Sequence, residues 1–198
     1  MKIIIIDNYD SFTFNLYHYI KPFAKQCEVV KVDKIDFKSI KNYDKIVLSP
    51  GPGLPKEQKH LLQLIDSFYK THPILGICLG HQVIGEYFGA QLSNMKEVHH
   101  GIQRDTDLFF SKEEYLWANL PNTIASGRYH SWIVEQTNLP ADLEVIAIDK
   151  DNNSIMALRH KIYDIRSIQF HPESILTPKG NIIIKNWVNN PIKKGLYH

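Results

Sequence analysis

A cysteine flanked by glycines is the feature of this sequence whose residue types and spacing most directly suggest chemistry. The segment Gly76-Ile77-Cys78-Leu79-Gly80 ends the apolar run 74–77 and leads into residues 81–88, whose composition suits a helix. A sharp strand-to-helix turn leaves its neighbours no room for a Cβ atom, so the pattern is typical of a nucleophile elbow. The turn would also place the thiol at the positive end of a helix, which favours the thiolate. A small buried cysteine between unrelated glycines is the alternative, and these five residues alone do not decide.

A cysteine nucleophile needs a base, because a thiol with a pKa of about 8.5 is only slightly ionised at neutral pH. Among the ten histidines, His171 directly follows the strand-like run 164–170. Open α/β sheets place their functional groups at such strand ends. Glu173, two residues later, could orient the imidazole. The alternative reading of Phe170-His171-Pro172-Glu173 is a strand end with a solvated carboxylate, which is the commoner use of such a pattern.

A proline- and glycine-rich loop could supply the electrostatic part of the same reaction. Gly51, Pro52 and Gly53 lie in Ser49–Pro55, directly after the strand-like run 45–48. Such a loop is stiff and its backbone is unhindered, so it can direct an N–H group at an oxyanion, with the Leu79 N–H as second donor. A plain turn is the alternative. The loop matches neither of the glycine patterns that bind phosphate.

The elements that must position these residues alternate in the first half of the chain. Short strand-like runs occupy 3–6, 28–32, 45–48 and 74–77, and residues 58–69 carry apolar side chains at helical spacing. In the second half, 143–149 and 155–159 flank a polar turn at 151–153 and predict an antiparallel pair. A strand over 164–170 and a helix over 181–188 follow, whereas 93–125 gives no clear pattern.

The alternation predicts an α/β fold with an open, mixed and mostly parallel sheet. Helices should cover both faces, and an antiparallel extension should follow from the second half. No repeat or linker interrupts the pattern, so we expect residues 1–198 to form one domain.

Composition narrows the class of protein. The chain has 198 residues, 43% hydrophobic and 22% charged, with a net charge of +2, which is typical of a globular protein with no broad surface for nucleic acid or anionic lipid. Two cysteines do not make a disulfide framework. Polar residues at 7, 8 and 10 interrupt the N-terminal apolar run, and no window reaches the length of a membrane span. We therefore expect a cytoplasmic protein.

Five motifs in order give the sequence a resemblance to a known family that runs nearly from end to end. Three of the five, the cysteine motif, the histidine motif and the proline and glycine loop, are described above. The other two are a segment near the N-terminus and a segment before residue 132. In order, the five motifs are 6–13 (IDNYDSFT), 48–53 (LSPGPG), 76–82 (GICLGHQ), 128–131 (RYHS) and 169–174 (QFHPES). The chain resembles the class I, triad-type glutamine amidotransferases, in particular the small glutaminase subunits of anthranilate synthase and aminodeoxychorismate synthase.

The resemblance implies a role for each matching residue. Cys78 would attack the side-chain amide of glutamine, His171 would be its base, and Glu173 would orient His171. The residues that would contact the substrate are Gly51, Pro52, Gly53, Leu79, Gln82, Ser131 and Trp132. Among these, Gly53 and Leu79 would donate backbone N–H groups to the oxyanion, while Gln82 and the backbone at 131–132 would hold the amino-acid end.

Two positions depart from the family pattern. Relatives usually carry His-Gly-Lys followed by Ser or Thr where this chain has His100-Gly101-Ile102-Gln103-Arg104, so the way a partner docks or activates the site is open. Trp132 replaces the usual leucine after Tyr-His-Ser, which leaves a backbone contact possible. Neither change affects the triad.

The resemblance implies a glutaminase that passes ammonia to a separate chorismate-binding synthase subunit. The product is anthranilate for tryptophan, 4-amino-4-deoxychorismate for folate, or both. No cofactor is expected in this subunit, and Mg²⁺ is expected in the partner. No nucleic acid and no membrane are expected as partners. Two alternatives remain: a stand-alone cysteine amidohydrolase and a catalytically silent regulatory subunit.

Overall fold

The computed structural model describes residues 1–95 and 100–192. In chain order the strands are β1 Lys2–Asp7, β2 Gln26–Lys31, β3 Lys45–Leu48, β4 Ile74–Ile77, β5 Leu92–Asn94, β6 Ile102–Leu108, β7 Thr123–Arg128, β8 Trp132–Val134, β9 Leu143–Asp149, β10 Ile155–His160 and β11 Ile165–Ile168. The α-helices are α1 Thr13–Ile20, α2 Phe37–Ile40, α3 Lys59–Phe68, α4 Leu79–Tyr87 and α5 Gly180–Asn189.

One large open sheet organises the chain. Its nine strands lie in the order β2-β1-β3-β4-β11-β10-β9-β6-β7. The first five are parallel, and the other four continue the sheet in antiparallel fashion. Strands β5 and β8 form a separate antiparallel ribbon. This topology confirms the predicted mixed sheet with an antiparallel extension, including the pairing of β9 with β10.

Helices cover both faces of the parallel strands, and β1 shows why. Ile3 and Ile5 pack into one core and Ile4 and Ile6 into another, because successive side chains of a strand point to opposite faces. Residues of α1 and α5 complete the first core, and residues of α3 and α4 complete the second. A run of four isoleucines therefore fits a strand that is buried on both sides.

The carboxyl ends of three neighbouring strands bring together the three segments that the sequence singled out. In the sheet register Leu48 pairs with Gly76, and Ile77 pairs with Ile168. The loop after β3, the elbow after β4 and the chain after β11 therefore leave the sheet at the same edge. This is the edge where open α/β sheets bind their ligands.

The structure differs from the sequence prediction at the end of β11. The predicted strand reached residue 170, but β11 ends at Ile168. Its neighbour β4 ends at Ile77, where the chain turns into α4, so no parallel partner remains for the residues that follow. Their N–H groups bond elsewhere: Gln169 donates to the Met156 carbonyl at 2.8 Å and His171 to the Gly127 carbonyl at 3.1 Å.

Within the described residues, no helix is both long and apolar enough to cross a membrane.

Helix α5 is fixed at both ends by close contacts. At its start, a Cβ atom at Gly180 would lie 1.7 Å from the Pro172 carbonyl oxygen, so only glycine fits against the chain beside His171. At its other end, the buried Lys45 ammonium donates to the carbonyls of Trp187, Val188 and Asn190. These carbonyls have no partner inside the helix, which is why a cation is stable there.

We predict that Gly180→Ala lowers the free energy of unfolding by about 3 kcal/mol, because the new methyl group collides with backbone that cannot move alone. Urea denaturation followed by circular dichroism measures the change. Gly85→Ala is the matched control, since its Cβ would meet a movable Val134 methyl at 2.9 Å. Equal losses in the two variants would contradict the expectation.

Lys45 should give the stability a distinct pH dependence. Burial lowers the pKa of Lys45 to about 8, against the opposing effect of Asp164 and Asp44, while an unfolded lysine titrates near about 10.4. Between these values the unfolded chain holds a proton that the folded chain has released, so the Lys45 contribution to the free energy of unfolding rises with pH. It is constant below pH 8.

The measurement compares the wild type with Lys45→Met by urea denaturation at several pH values. The difference in unfolding free energy, wild type minus variant, should grow by about 2–3 kcal/mol between pH 8 and 10.5. A difference that stays flat over this range would show that Lys45 titrates alike in both states.

Candidate active site

The turn between β4 and α4 has the geometry of a nucleophile elbow. Cys78 has φ 51° and ψ −101°, a backbone conformation that non-glycine residues rarely adopt. A Cβ atom at Gly80 would lie 2.5 Å from the Leu48 carbonyl oxygen, and one at Gly76 would lie 2.5 Å from the Gly80 carbonyl oxygen. Both flanking positions therefore require glycine for steric reasons, as the sequence pattern predicts.

The elbow is tied to the neighbouring strand. The Cys78 N–H donates to the Ile168 carbonyl at 2.8 Å, which continues the β4–β11 ladder by one residue. Cys78 as a whole is 8% exposed, so the residue is nearly buried. Cys78 is followed at once by the first turn of α4, whose free N–H groups favour a negative charge on sulfur.

His171 and Glu173 form a buried pair beside this thiol. The distance from His171 Nδ1 to Glu173 Oε1 is 2.7 Å, and both residues are 2% exposed. Burial alone would lower the pKa of His171, but the charges of Glu173 and Cys78 and the hydrogen bond to Glu173 outweigh it and raise this pKa well above its usual value. Glu173 thus favours the imidazolium form.

The second ring nitrogen of His171 is left for the reacting groups. Nε2 is buried and has no hydrogen-bond partner by geometry among the described residues, and the charge of Cys78 acts on the ring to raise its pKa. With Nδ1 held by Glu173, this nitrogen is placed to exchange a proton with Cys78.

Two aromatic rings cover His171 from the side of the N-terminal motif. The ring centroids of Phe12 and Tyr129 lie 5.5 and 4.9 Å from that of His171, and 5.2 Å from each other. The Phe12 N–H donates to Asp10 Oδ2 at 2.6 Å, which holds the loop before α1 in place. Phe12 and Tyr129 both stand in sequence motifs of the family, but neither was predicted as a site residue.

A cavity of about 190 Å³ opens beside the thiol. Its lining comprises every residue expected to contact the substrate, together with the nucleophile and two more: Gly51, Pro52, Gly53, Cys78, Leu79, Gln82, Tyr129, His130, Ser131 and Trp132. The volume is below the roughly 300–1,000 Å³ of pockets for drug-sized ligands, so it suits a smaller molecule. The structure brings the predicted residues together, and their individual roles stay predictions.

The proline and glycine loop is held against the N-terminal motif. A Cβ atom at Gly51 would lie 2.5 Å from Asn8 Cβ, and the Asn8 N–H donates to Ser49 Oγ at 2.9 Å. Gly53 has φ +86°, which favours glycine. Asn8 therefore supports the loop that borders the cavity together with Leu79. This contact gives the Asp7-Asn8 segment of the N-terminal motif a structural role.

Gln82 already uses both hydrogens of its side-chain amide. Its Nε2 donates to the Trp132 carbonyl at 2.9 Å and to Gln169 Oε1 at 3.1 Å. Only the acceptor oxygen of Gln82 remains for a ligand, which suits an ammonium group. Gln169, whose own Nε2 lies 3.7 Å from Cys78 Sγ, is a site residue that the sequence analysis missed.

The segment that departs from the family pattern lies next to the aromatic cover. The His100 ring is 6.3 Å from that of Tyr129, Gly101 has φ +73°, and Ile102 is 41% exposed. Ile102 therefore lies half-exposed beside the aromatic cover of His171. The preceding His99 lies outside the described residues.

Among residues 1–95 and 100–192, no cluster of three or more histidine, cysteine or acidic side chains could hold a metal ion. Cys27 and Cys78 are both free thiols.

Comparison with known proteins identifies the family. Residues 4–190 match the model of the family "Glutamine amidotransferase class-I". Anthranilate synthase component 2 of Porphyra purpurea is 44% identical over 191 residues, which cover 95% of this chain and 99% of that one. The protein of the same name from Pseudomonas aeruginosa is 39% identical over 192 residues, 94% of each chain.

Solved structures show the same fold. A Thermoplasma acidophilum protein assigned provisionally to GMP synthase superposes with a TM-score of 0.83 and 28% identity, over 95% of this chain and 92% of that one. A Thermotoga maritima glutamine amidotransferase gives a TM-score of 0.74 at 16% identity, over 87% and 76% of the two chains. With a family match over nearly the whole sequence, the chain belongs to the class-I glutamine amidotransferase family.

Proposed function

We propose that this chain is a glutaminase subunit that hydrolyses L-glutamine and delivers ammonia to a chorismate-binding synthase subunit. The observation that carries the proposal is the alignment of Cys78 with the His171–Glu173 pair beside a small cavity lined by all the expected substrate contacts. Relatives about 40% identical are named anthranilate synthase component 2, a name that implies a second component.

The first half of the reaction forms a thioester. The Cys78 thiolate attacks the side-chain amide carbon of glutamine, and the oxygen takes the negative charge. The N–H groups of Gly53 and Leu79 are the donors we assign to this oxyanion. His171, which carries the proton taken from the thiol, gives it to the departing nitrogen, so ammonia leaves and a γ-glutamyl thioester remains.

The second half returns the enzyme to its starting state. Neutral His171 accepts a proton from water as the water attacks the thioester carbon. The carbon–sulfur bond breaks and the proton on His171 stays with the Cys78–His171 pair, which restores the starting state. The new carboxyl group gives the second proton of the water to solvent, so glutamate leaves as a carboxylate. The raised pKa of His171 supports this assignment, because the imidazolium that protonates the leaving nitrogen is stabilised by Glu173.

Ammonia released into neutral water would become ammonium, which is not a nucleophile. The ammonia must therefore pass from this site to the acceptor site without contact with bulk water. We therefore infer a complex with a chorismate-binding subunit, with Mg²⁺ in that partner and no cofactor in this chain. Anthranilate is the product we propose, since the similar proteins named above share that name. The other product considered is 4-amino-4-deoxychorismate.

We predict that Cys78→Ala abolishes glutamine-dependent synthesis by the complex and leaves ammonia-dependent synthesis intact, because only the first requires the thioester. The assay supplies chorismate and Mg²⁺ with either glutamine or an ammonium salt. Cys27→Ala is the matched control, since Cys27 is a half-buried thiol on β2 and should support both reactions. Equal loss of both activities in Cys78→Ala would contradict the proposal.

The same mixture separates the alternatives when each candidate synthase partner is tested and the product is identified. Anthranilate with one partner and no product with the other assigns the pathway. A high glutamine turnover without any partner would indicate a stand-alone amidohydrolase. If labelled glutamine forms no thioester on Cys78 within the complex, the chain is a silent subunit.

The partner should dock on the edge of the sheet where the cavity opens. Ile175 follows the triad segment by two residues and is 91% exposed, and Gln103 Nε2 donates to the carbonyl of the next residue, Leu176, at 2.9 Å. Single exposed apolar side chains are common on protein surfaces, so we assign Ile175 to the interface because of its place beside the triad segment.

We predict that Ile175→Asp weakens binding of the synthase subunit by about 2 kcal/mol or more, roughly 30-fold, because a carboxylate would lose its water in the interface. Isothermal titration calorimetry measures the affinity. Ile162→Asp is the control: Ile162 is also exposed, at 67%, but lies before β11 at the opposite edge of the sheet. Equal effects of both substitutions would place the interface elsewhere.

A further inference from the structure

A chain of amide hydrogen bonds links the wall of the cavity to the nucleophile. It runs from the Trp132 carbonyl to Gln82 at 2.9 Å, from Gln82 to Gln169 at 3.1 Å, and from Gln169 Nε2 to Cys78 Sγ at 3.7 Å. Gln169 is completely buried and Gln82 is 5% exposed. None of the roles assigned so far uses Gln169.

The polarity of this chain is fixed by its first member. The Trp132 carbonyl can only accept, so Gln82 must turn its NH₂ group toward it. The second hydrogen of that group then points to Gln169, which must offer its oxygen. Gln169 is left with its own NH₂ group directed at the sulfur, and the opposite amide orientation would bring two donors together.

Gln169 and His171 follow directly on the end of β11, and both lie beside Cys78. Phe170 between them lies under the Arg128 guanidinium, whose central carbon is 5.8 Å from the Phe170 ring centroid. The thiol thus has an imidazole and an amide donor as neighbours from one segment.

We propose that Gln169 is a positioning residue that donates its amide N–H to the Cys78 thiolate, holds the sulfur toward the cavity, and is itself oriented by Gln82. The catalytic purpose of this contact rests on the proposed function, but the test below does not require that function. An N–H donor is attracted more strongly to a thiolate than to a thiol, so the contact favours the reactive form. Because Gln82 borders the cavity, a ligand there would act on the same chain of amides.

The test measures the reactivity of Cys78 without glutamine or partner. The rate of alkylation by iodoacetamide is followed by mass spectrometry from pH 5 to 10, in a Cys27→Ala background that leaves one cysteine. The titratable groups near the sulfur or its imidazole partner include His171, Glu173, Asp10, Tyr129 and His130, and all are present in every variant. The midpoint of the profile belongs to the coupled Cys78–His171 pair.

Gln169→Met keeps the length of the side chain and removes the donor. We expect the midpoint of the profile to rise by about one pH unit, so that alkylation below the midpoint slows about tenfold, with an unchanged limiting rate at high pH. Gln169→Glu places an acceptor and a negative charge beside the sulfur and should raise the midpoint further. Gln103→Met is the control, since Gln103 bonds the Leu176 carbonyl away from the thiol.

An unchanged midpoint in a folded Gln169→Met variant would overturn the proposal, because a residue that only packs would lower stability without moving the profile. If that variant fails to fold by circular dichroism, Gln82→Met removes the orienting donor, and its midpoint must rise in the same direction. Thioester formation with labelled glutamine is measured separately. A shifted profile without any thioester would leave Gln169 assigned and refute the proposed function alone.

Discussion

The hydrogen bond from the Cys78 N–H to the Ile168 carbonyl is the contact on which the site depends. It joins the end of β4 to the end of β11. It therefore fixes the point where β4 turns into α4 relative to the segment after β11, which carries Gln169 and His171. A slip of one residue in this parallel pair would turn the side chains of β11 to the opposite face. The nucleophile and its base are therefore matched by the register of two strands that contain neither of them.

The rest of the molecule serves to hold that register. Isoleucine side chains pack above and below the central strands, and α5 locks the segment after His171 against the sheet through Gly180 and Lys45. The first strand end is joined to the proline and glycine loop through Ser49, whose N–H donates to the Ile6 carbonyl and whose hydroxyl oxygen accepts from the Asn8 N–H.

Much of this architecture was predictable from the sequence because the signals are local. Four-residue apolar runs predicted β1, β3 and β4 closely, and the pattern of leucines over 58–69 predicted α3, observed at Lys59–Phe68. Helix α1 was missed because its eight residues, TFNLYHYI, bury only three side chains and give a weak pattern. Strands β6 and β7 were also missed. The sequence of β6, IQRDTDL, is mostly polar, and its pairing with β7 joins residues far apart in the sequence, which a local pattern does not show.

The site divides in the same way. The Gly-x-Cys-x-Gly turn and the two-residue spacing of His171 and Glu173 are local, so the sequence offered them as candidates, which the order of all five motifs then favoured. The contact between Gln82 and Gln169 joins residues 87 positions apart, and the aromatic cover joins Phe12 to Tyr129; these partners meet only through the sheet. Motif order indicated that these segments belong to one site, but the identity of the atoms that meet required the folded chain.

The backbone conformation of Cys78 sets the stability of the fold against the chemistry of the site. A non-glycine residue at φ 51° costs folding free energy, of the order of 1 kcal/mol or more, whatever its side chain. Glycine at position 78 would relieve that cost and would also remove the sulfur. Selection for a more stable fold and selection for chemistry therefore pull in opposite directions at this one residue, so a lineage that no longer needed the reaction would be free to lose the cysteine first.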